Sequence, residues 1–223
     1  VTPEEAPSIA QHLAATPGIN LAGLWTHFAS AHDPDDPYTR NQFETFRAVV
    51  ESVQDQAGVE RLHIANSSAL FMFEESVEAF EPALVRVGLT LYGLGSRPEM
   101  IRQAGLRPVM RLLSQVTHIK TVKPGTSISY GRRWTAERTT RIATIGAGYG
   151  DGFPRLLSNR GEVGIGGRRY PVVGTICMDM FMIDLGPPGT PASDAVSLGD
   201  TVTLMGPGGP SSAELATWAD TIP

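Results

Sequence analysis

Apolar strand patterns alternate with helical patterns over the first 91 residues of this 223-residue chain. The strand patterns cover residues 19–29, 61–65 and 84–91, and the helical patterns cover residues 43–53 and 67–73. Strands that are apolar along most of their length and are separated by helices are typical of a parallel sheet covered on both faces. Since three strands are too few to close a barrel, the alternation predicts a remnant of an α/β barrel.

The pattern changes after Tyr92. Residues 94–111 form a connection that contains glycine and proline, and residues 112–223 contain short strand patterns separated by glycine-containing turns. The sequence therefore predicts two domains. Residues 1–93 form the barrel part, and residues 112–223 form a mainly β domain.

Two capping boxes mark predicted helix starts. Thr2-x-x-Glu5 precedes a short helix at the beginning of the chain, and Ser211-x-x-Glu214 precedes the last helix. A strand predicted over 201–205 comes directly before that last helix.

Composition and charge exclude several classes of protein. A formal net charge of −5 gives no broad basic surface for nucleic acid, and no apolar run approaches the length needed to cross a bilayer. The single cysteine, Cys177, excludes an internal disulfide and a cysteine-rich metal site. No secretory segment opens the chain, so we expect a cytoplasmic protein. The chain begins at Val1 and ends soon after a helix begins, which we interpret as a piece of a longer protein.

Arg86 lies inside the apolar run 85–93. A guanidinium stays charged at any relevant pH, and its removal from water costs several kcal/mol unless a partner accepts its hydrogen bonds. The sequence therefore predicts a polar group next to Arg86.

Two short segments are candidates for binding a phosphate. Asn66 and Ser67 come directly before a predicted helix, where free backbone N–H groups and the helix dipole favour an anion. Gly88 and Leu89 form a second place where backbone can approach a ligand closely. An ordinary helix cap at the first segment and a strand bulge at the second are the alternatives from spacing alone.

His27 and His63 lie near the ends of predicted strands. Strand ends of a parallel barrel converge at one mouth, so the two histidines and Arg86 can form a hydrogen-bonded set there. A satisfied structural histidine is the alternative for His27. A metal site is less favoured, because the acidic residues of the loop 33–37 have no recognisable ligand spacing.

Tyr130 and Cys177 are candidate reactive groups in the second half of the chain. A phenol acts as a base only if cationic neighbours lower its pKa or substrate binding couples the proton transfer, and Arg132 and Arg133 are close in sequence. A solvent-facing aromatic residue is the alternative for Tyr130. Cys177 has no histidine or second cysteine beside it in sequence, so a nucleophilic thiol is weakly supported and a buried cysteine is the simpler interpretation.

Several of these motifs, in this order, resemble the alanine racemases. The motifs are His27, Asn66–Ser67, Arg86–Val87–Gly88, Ser129–Tyr130–Gly131, Tyr149–Gly150–Asp151–Gly152 and Cys177–Met178–Asp179. The resemblance covers essentially the whole chain. It implies a (β/α)₈ barrel that binds pyridoxal 5'-phosphate, followed by a β-rich domain, in a head-to-tail homodimer with shared active sites. The implied reaction interconverts L- and D-alanine and supplies D-alanine for bacterial peptidoglycan.

The resemblance also implies a role for each motif. Arg86 hydrogen-bonds the pyridine nitrogen of the cofactor, and His27 packs beside the ring and links Tyr130 to Arg86. His63 is a supporting residue on the ground of its strand-end position alone. The cofactor phosphate is held by Ser67, Gly88 and Leu89. Met178 presents its backbone N–H to the substrate carboxylate, and Tyr149 and Asp179 line the entrance. Tyr130, donated by the partner subunit, is one of two bases that flank the α-carbon.

The second base of the family is a Schiff-base lysine on the first barrel strand. Lys120 and Lys123 are the only lysines here, and neither lies in that motif. The early barrel arginine and the later phosphate-binding tyrosine are missing as well, so we expect no racemisation by this chain alone. Two alternatives stay open: another small amino-acid racemase of the same barrel class, and a non-enzymatic module that binds a cofactor or an amino acid.

Overall fold

The computed structural model describes residues 1–57, 59–80 and 83–222. The chain forms two compact units, Val1–Val109 and Met110–Pro223. The division falls within the predicted connection 94–111. No helix in the described ranges is long and apolar enough to cross a membrane.

The first unit is built on a three-stranded parallel sheet in the order β1-β2-β3. Its strands are β1 (Gly23–Trp25), β2 (Arg61–Asn66) and β3 (Ala83–Arg86), and its helices are α1 (Ala6–Ala15), α2 (Tyr38–Ala57), α3 (Ala69–Met72), α4 (Glu75–Glu78) and α5 (Pro98–Gln103). The central strand β2 pairs in parallel with both neighbours, so the three carboxyl ends lie at one edge. The predicted α/β barrel remnant is confirmed.

Helix α2 covers this sheet through the predicted apolar stripe. Phe43, Phe46, Val50 and Val53 are all buried, and Val49 is half-buried. Burial of a side chain of this size stabilises the folded state by about 1.5–3 kcal/mol. The stripe therefore fixes which face of α2 meets the sheet.

Two predicted strands are shorter in the structure than the sequence indicated. The first, predicted over 19–29, is the three-residue strand β1, which pairs with β2 in the described part of the chain. The third, predicted over 84–91, ends at Arg86, and Leu89–Tyr92 form a 3₁₀ turn instead. Gly93 closes that turn with a φ of 72°, and a Cβ there would lie 1.7 Å from the Arg107 carbonyl oxygen. Only glycine fits this position.

The second unit is a closed antiparallel barrel of six strands in the order β10-β7-β4-β11-β8-β9. The barrel strands are β4 (Leu112–Val122), β7 (Thr140–Ile145), β8 (Glu162–Ile165), β9 (Arg168–Val173), β10 (Phe181–Gly186) and β11 (Thr201–Met205). A separate hairpin consists of β5 (Ser127–Ile128) and β6 (Trp134–Thr135), and the helices are α6 (Pro191–Asp194) and α7 (Ser212–Ala219). The predicted mainly β domain is confirmed, and its closure into a barrel goes beyond the prediction.

The barrel interior is filled by apolar side chains. Phe153 and Phe181 stack with ring centroids 4.9 Å apart, and Leu157, Ile183 and Val202 are fully buried around them. The strands therefore enclose a packed core rather than a channel.

Both predicted capping boxes are present. Ser211 and Glu214 exchange hydrogen bonds at the start of α7, and Thr2 and Glu5 do so in the turn before α1. Helix α1 itself begins at Ala6, one residue after this turn. The predicted sequence signal therefore marks the correct turns.

Replacing Ser211 by alanine is expected to lower the free energy of unfolding by about 0.5–2 kcal/mol, because the Glu214 N–H loses its side-chain acceptor. Thermal unfolding of the two proteins measures the change. Ser211→Asn keeps an acceptor at the same place and should stay close to wild type. Equal melting temperatures for all three proteins would contradict a stabilising cap.

Candidate functional site

Arg86 is the last residue of β3, and its guanidinium lies across the carboxyl ends of the sheet. Its Nη1 donates to the His63 carbonyl oxygen at 3.2 Å, and its Nη2 donates to the Thr26 carbonyl oxygen at 2.8 Å. The guanidinium also lies 4.8 Å from the centre of the Trp25 ring, a cation–π distance. The predicted polar partner of Arg86 is therefore a set of neutral groups. Within the described ranges, no ion pair includes Arg86.

His27 extends this set. Its Nδ1 lies 3.1 Å from Arg86 Nη2, and a guanidinium has only donors, so Nδ1 accepts and the neutral ring carries its proton on Nε2. The Asn66 Nδ2 lies 3.4 Å from that Nε2. Asn66 Oδ1 accepts from the Ser68 and Ala69 N–H groups, which fixes the orientation of the Asn66 amide. The contact between Asn66 Nδ2 and His27 Nε2 therefore brings two donors together. The Nε2–H is therefore not held by Asn66.

His63 supports Arg86 through its backbone. Its carbonyl oxygen accepts from both the Thr26 N–H and Arg86. Burial, and after it the positive charges of Arg86 and Arg61, lower the pKa of the His63 ring below its usual value. The lowered pKa favours the neutral form of the ring.

Ser67 and Gly88 face each other across β2 and the end of β3. The Gly88 N–H donates to Ser67 Oγ at 2.8 Å, and Thr90 Oγ1 donates to the same oxygen at 3.4 Å. A Cβ at Gly88 would meet only Ser67 Oγ, at 3.9 Å, so the fold itself leaves room there. Asn66, rather than Ser67, caps the short helix α3. The alternative of an ordinary helix cap therefore fits Asn66 and does not fit Ser67.

In the second unit, Tyr130 begins a 3₁₀ turn over Tyr130–Arg132. Its side chain is 75% exposed. Ser129 before it and Gly131 and Arg132 after it all have positive φ. The turn therefore presents the phenol on the surface of this unit.

The turn over Cys177–Asp179 packs against the turn at 148–152. Tyr149 N–H donates to the Cys177 carbonyl at 3.0 Å, and Gly150 N–H donates to the Met178 carbonyl at 2.8 Å. A Cβ at Gly148 would lie 2.3 Å from the Cys177 oxygen, so glycine permits this approach. The Cys177 carbonyl and the Met178 N–H belong to the same peptide unit, and in a trans peptide they point in opposite directions. Since the Cys177 carbonyl points to the 148–152 turn, the Met178 N–H points away from it.

Three further side chains complete this region. Tyr149, Met178 and Asp179 are all exposed. The thiol of Cys177 is half-buried, 3.5 Å from Ser129 Oγ and 3.6 Å from the Thr175 carbonyl oxygen. These neighbours are a hydroxyl and a carbonyl, and neither can act as the base that a nucleophilic thiol needs.

Family models match both units. The family model described as "Alanine racemase, N-terminal domain" matches residues 1–96, and the one described as "Alanine racemase, C-terminal domain" matches residues 109–223. The chain belongs to the alanine racemase family.

Individual members of the family are similar over the same extent. The alanine racemase of Chlorobaculum tepidum is 42% identical over 100% of this chain and 56% of its own length. The crystal structure of alanine racemase from Streptomyces lavendulae is 35% identical, with a TM-score of 0.89 over 99% of this chain and 58% of that one. The crystal structure of alanine racemase from Bartonella henselae, described with covalently bound pyridoxal phosphate, is 28% identical and has a TM-score of 0.78. The match covers 96% of this chain and 56% of that chain. The chain spans a little more than half the length of these relatives.

Gln42 is a site residue that the sequence interpretation missed. From α2 its Nε2 donates to the His27 carbonyl at 2.8 Å and to Thr26 Oγ1 at 3.1 Å, and its Oε1 accepts from the Ala29 N–H at 3.2 Å. It therefore holds the segment that carries His27. The sequence signal for Gln42 was its position directly before the buried Phe43, where a polar side chain can reach the end of the sheet.

Proposed function

We propose that the complete protein containing this chain is an alanine racemase that interconverts L- and D-alanine with pyridoxal 5'-phosphate. The observation that carries the proposal is the environment of Arg86. Its hydrogen bonds go to two backbone carbonyls and to His27, within a chain of the alanine racemase family.

The residues at the end of the sheet fit this cofactor. A guanidinium has five N–H donors, and Arg86 forms three hydrogen bonds with the residues that the structure describes. Among these residues it therefore retains donors for a neutral ring nitrogen. Ser67 Oγ and the Gly88 N–H, which bond each other here, with the Leu89 N–H beside them, would hold the phosphate. The open space at the missing Gly88 Cβ fits a close backbone approach by an anion.

Bound pyridoxal phosphate supplies a ring that accepts electron density from the substrate α-carbon. Arg86 would hold the ring nitrogen by a hydrogen bond without giving it a proton, because arginine does not deprotonate in this pH range. With Arg86 rather than a carboxylate at this position, the ring nitrogen would stay unprotonated, so Arg86 would limit the electron density drawn from the α-carbon and would favour racemisation over side reactions.

Racemisation requires a proton to leave one face of the α-carbon and another to arrive on the opposite face, so two bases must flank it. We assign one role to the phenol of Tyr130, donated across a head-to-tail homodimer, and its exposure supports that assignment. The family's lysine would be the other base. Lys120 lies in β4 and Lys123 directly after it, so neither belongs to the parallel sheet.

The substrate carboxylate would accept a hydrogen bond from the Met178 N–H. The direction of that N–H, away from the 148–152 turn, supports this assignment. Tyr149 and Asp179 would line the entrance to the site. The product D-alanine would serve peptidoglycan synthesis in the cytoplasm.

Chiral chromatography of alanine incubated with the purified product of the complete reading frame tests the proposal. We expect L-alanine and D-alanine to approach equal amounts from either side, with a requirement for pyridoxal phosphate. A panel of small amino acids measures specificity. Racemisation of another member in strong preference to alanine would replace the substrate assignment, and cofactor binding without any racemisation would support the binding-module alternative.

A further inference from the structure

The turn that carries Tyr130 has an unusual backbone. Ser129 has a φ of 65°, Gly131 of 72° and Arg132 of 50°. The left-handed region is disfavoured for residues with a Cβ, and such residues persist where the surrounding structure fixes them. The turn therefore needs contacts that hold it.

Thr175 makes two such contacts. Its hydroxyl donates to the Tyr130 carbonyl oxygen at 2.9 Å, and its own carbonyl accepts from Ser129 Oγ at 2.6 Å. Thr175 is 4% exposed, whereas the Tyr130 side chain is 75% exposed. One end of the turn is thus anchored inside the unit while the phenol projects from it.

Asn159 holds the far end of the same turn. Its Nδ2 donates to the Arg133 carbonyl oxygen at 3.2 Å, and its Oδ1 accepts from the Gly174 N–H at 2.6 Å. Gly174 permits the close packing, because a Cβ there would lie 2.8 Å from Ser129 Cβ. Thr175 and Asn159 therefore hold the turn at its two ends.

We propose that Thr175 is a positioning residue for Tyr130, with Asn159 as a second support. The inference rests on the proposed function. A base acts only within hydrogen-bond reach of its proton, and a displacement of about 1 Å can cost about 10²-fold in rate. Loss of the Thr175 hydroxyl frees the Tyr130 carbonyl, so the strained turn relaxes and the phenol moves.

The test uses the product of the complete reading frame, loaded with pyridoxal phosphate. Thr175→Val removes the hydroxyl at nearly constant shape, and Thr175→Ser restores it. Thr203→Val is the matched control, because Thr203 is a buried threonine of β11 that contacts Arg111. Asn159→Asp is a second variant at an exposed position, which keeps the acceptor for Gly174 and loses the donor to Arg133.

We expect Thr175→Val to lower kcat by about 10–100-fold with little change in KM, and Thr175→Ser to regain most of the loss. The α-deuterium isotope effect gives a readout that general destabilisation does not move. It should rise in the direction in which Tyr130 removes the labelled hydrogen. It should not rise in the other direction, because there Tyr130 returns an unlabelled proton to the α-carbon. Asn159→Asp should show the same one-sided rise with a smaller loss.

A Thr175→Val protein as active as wild type would overturn the inference. An α-deuterium isotope effect that rises equally in both directions would also overturn it. So would a crystal structure of that variant with the turn unchanged. If Thr175→Val does not fold, the Asn159→Asp protein decides by the same one-sided criterion. A wild-type protein without racemase activity would instead overturn the proposed function, so the two failures are distinguishable.

Discussion

Replacing Tyr130 by phenylalanine is expected to lower kcat of the complete protein by about 10²–10⁴-fold, which is the usual contribution of a positioned acid or base. Phenylalanine keeps the ring and removes only the hydroxyl. The loss should appear in both directions, because each direction needs both bases. Steady-state rates from L- and from D-alanine measure it.

Tyr38→Phe is the matched control for this change. Tyr38 is another exposed tyrosine, at the first position of α2, and its substitution should change the rate by less than about 2-fold. A Tyr130→Phe protein that keeps more than half of the wild-type rate would remove the phenol from the proposed chemistry.

Arg86→Leu is expected to lower kcat/KM by about 10²-fold or more. The change removes the donor to three acceptors, the Thr26 and His63 carbonyl oxygens and His27 Nδ1. Hydrogen bonds to a charged group contribute about 1.5–3 kcal/mol each. Loss of the proposed hydrogen bond from this charged donor to the cofactor nitrogen accounts for a fall of this size, since 10²-fold in kcat/KM corresponds to about 2.7 kcal/mol.

Arg61→Leu is the control for Arg86→Leu, because Arg61 lies at the exposed start of the neighbouring strand β2. It should leave the rate within about 2-fold of wild type. The pKa of His63, followed by NMR, should rise in Arg86→Leu, since the charge of Arg86 is one of the causes that lower it. An unchanged rate in Arg86→Leu would contradict the role of the guanidinium.

The parallel sheet was predictable because its signals are local. Apolar runs identified β2 and β3, and the stripe from Phe43 to Val53 identified the buried face of α2. The lengths of β1 and β3 were not predictable from these runs. The end of β3 depends on the 3₁₀ turn that Gly93 closes against Arg107.

The candidate site was predictable only in part. The cost of an arginine in an apolar run required a polar partner near Arg86, but the pattern did not indicate that backbone carbonyls would supply it. Gln42 reaches the segment of His27 from α2, a contact between distant parts of the chain. The positive φ angles around Tyr130 depend on Thr175 and Asn159, which lie about 30–45 positions further along the chain.

The central claim is that a site is formed from Arg86 of one subunit and Tyr130 of its partner. The most direct test co-expresses Arg86→Leu and Tyr130→Phe subunits with different affinity tags and assays the purified heterodimer. One of its two sites then contains both native residues, so we predict about half of the wild-type activity from two nearly inactive parents. A heterodimer no more active than either parent would contradict the shared site.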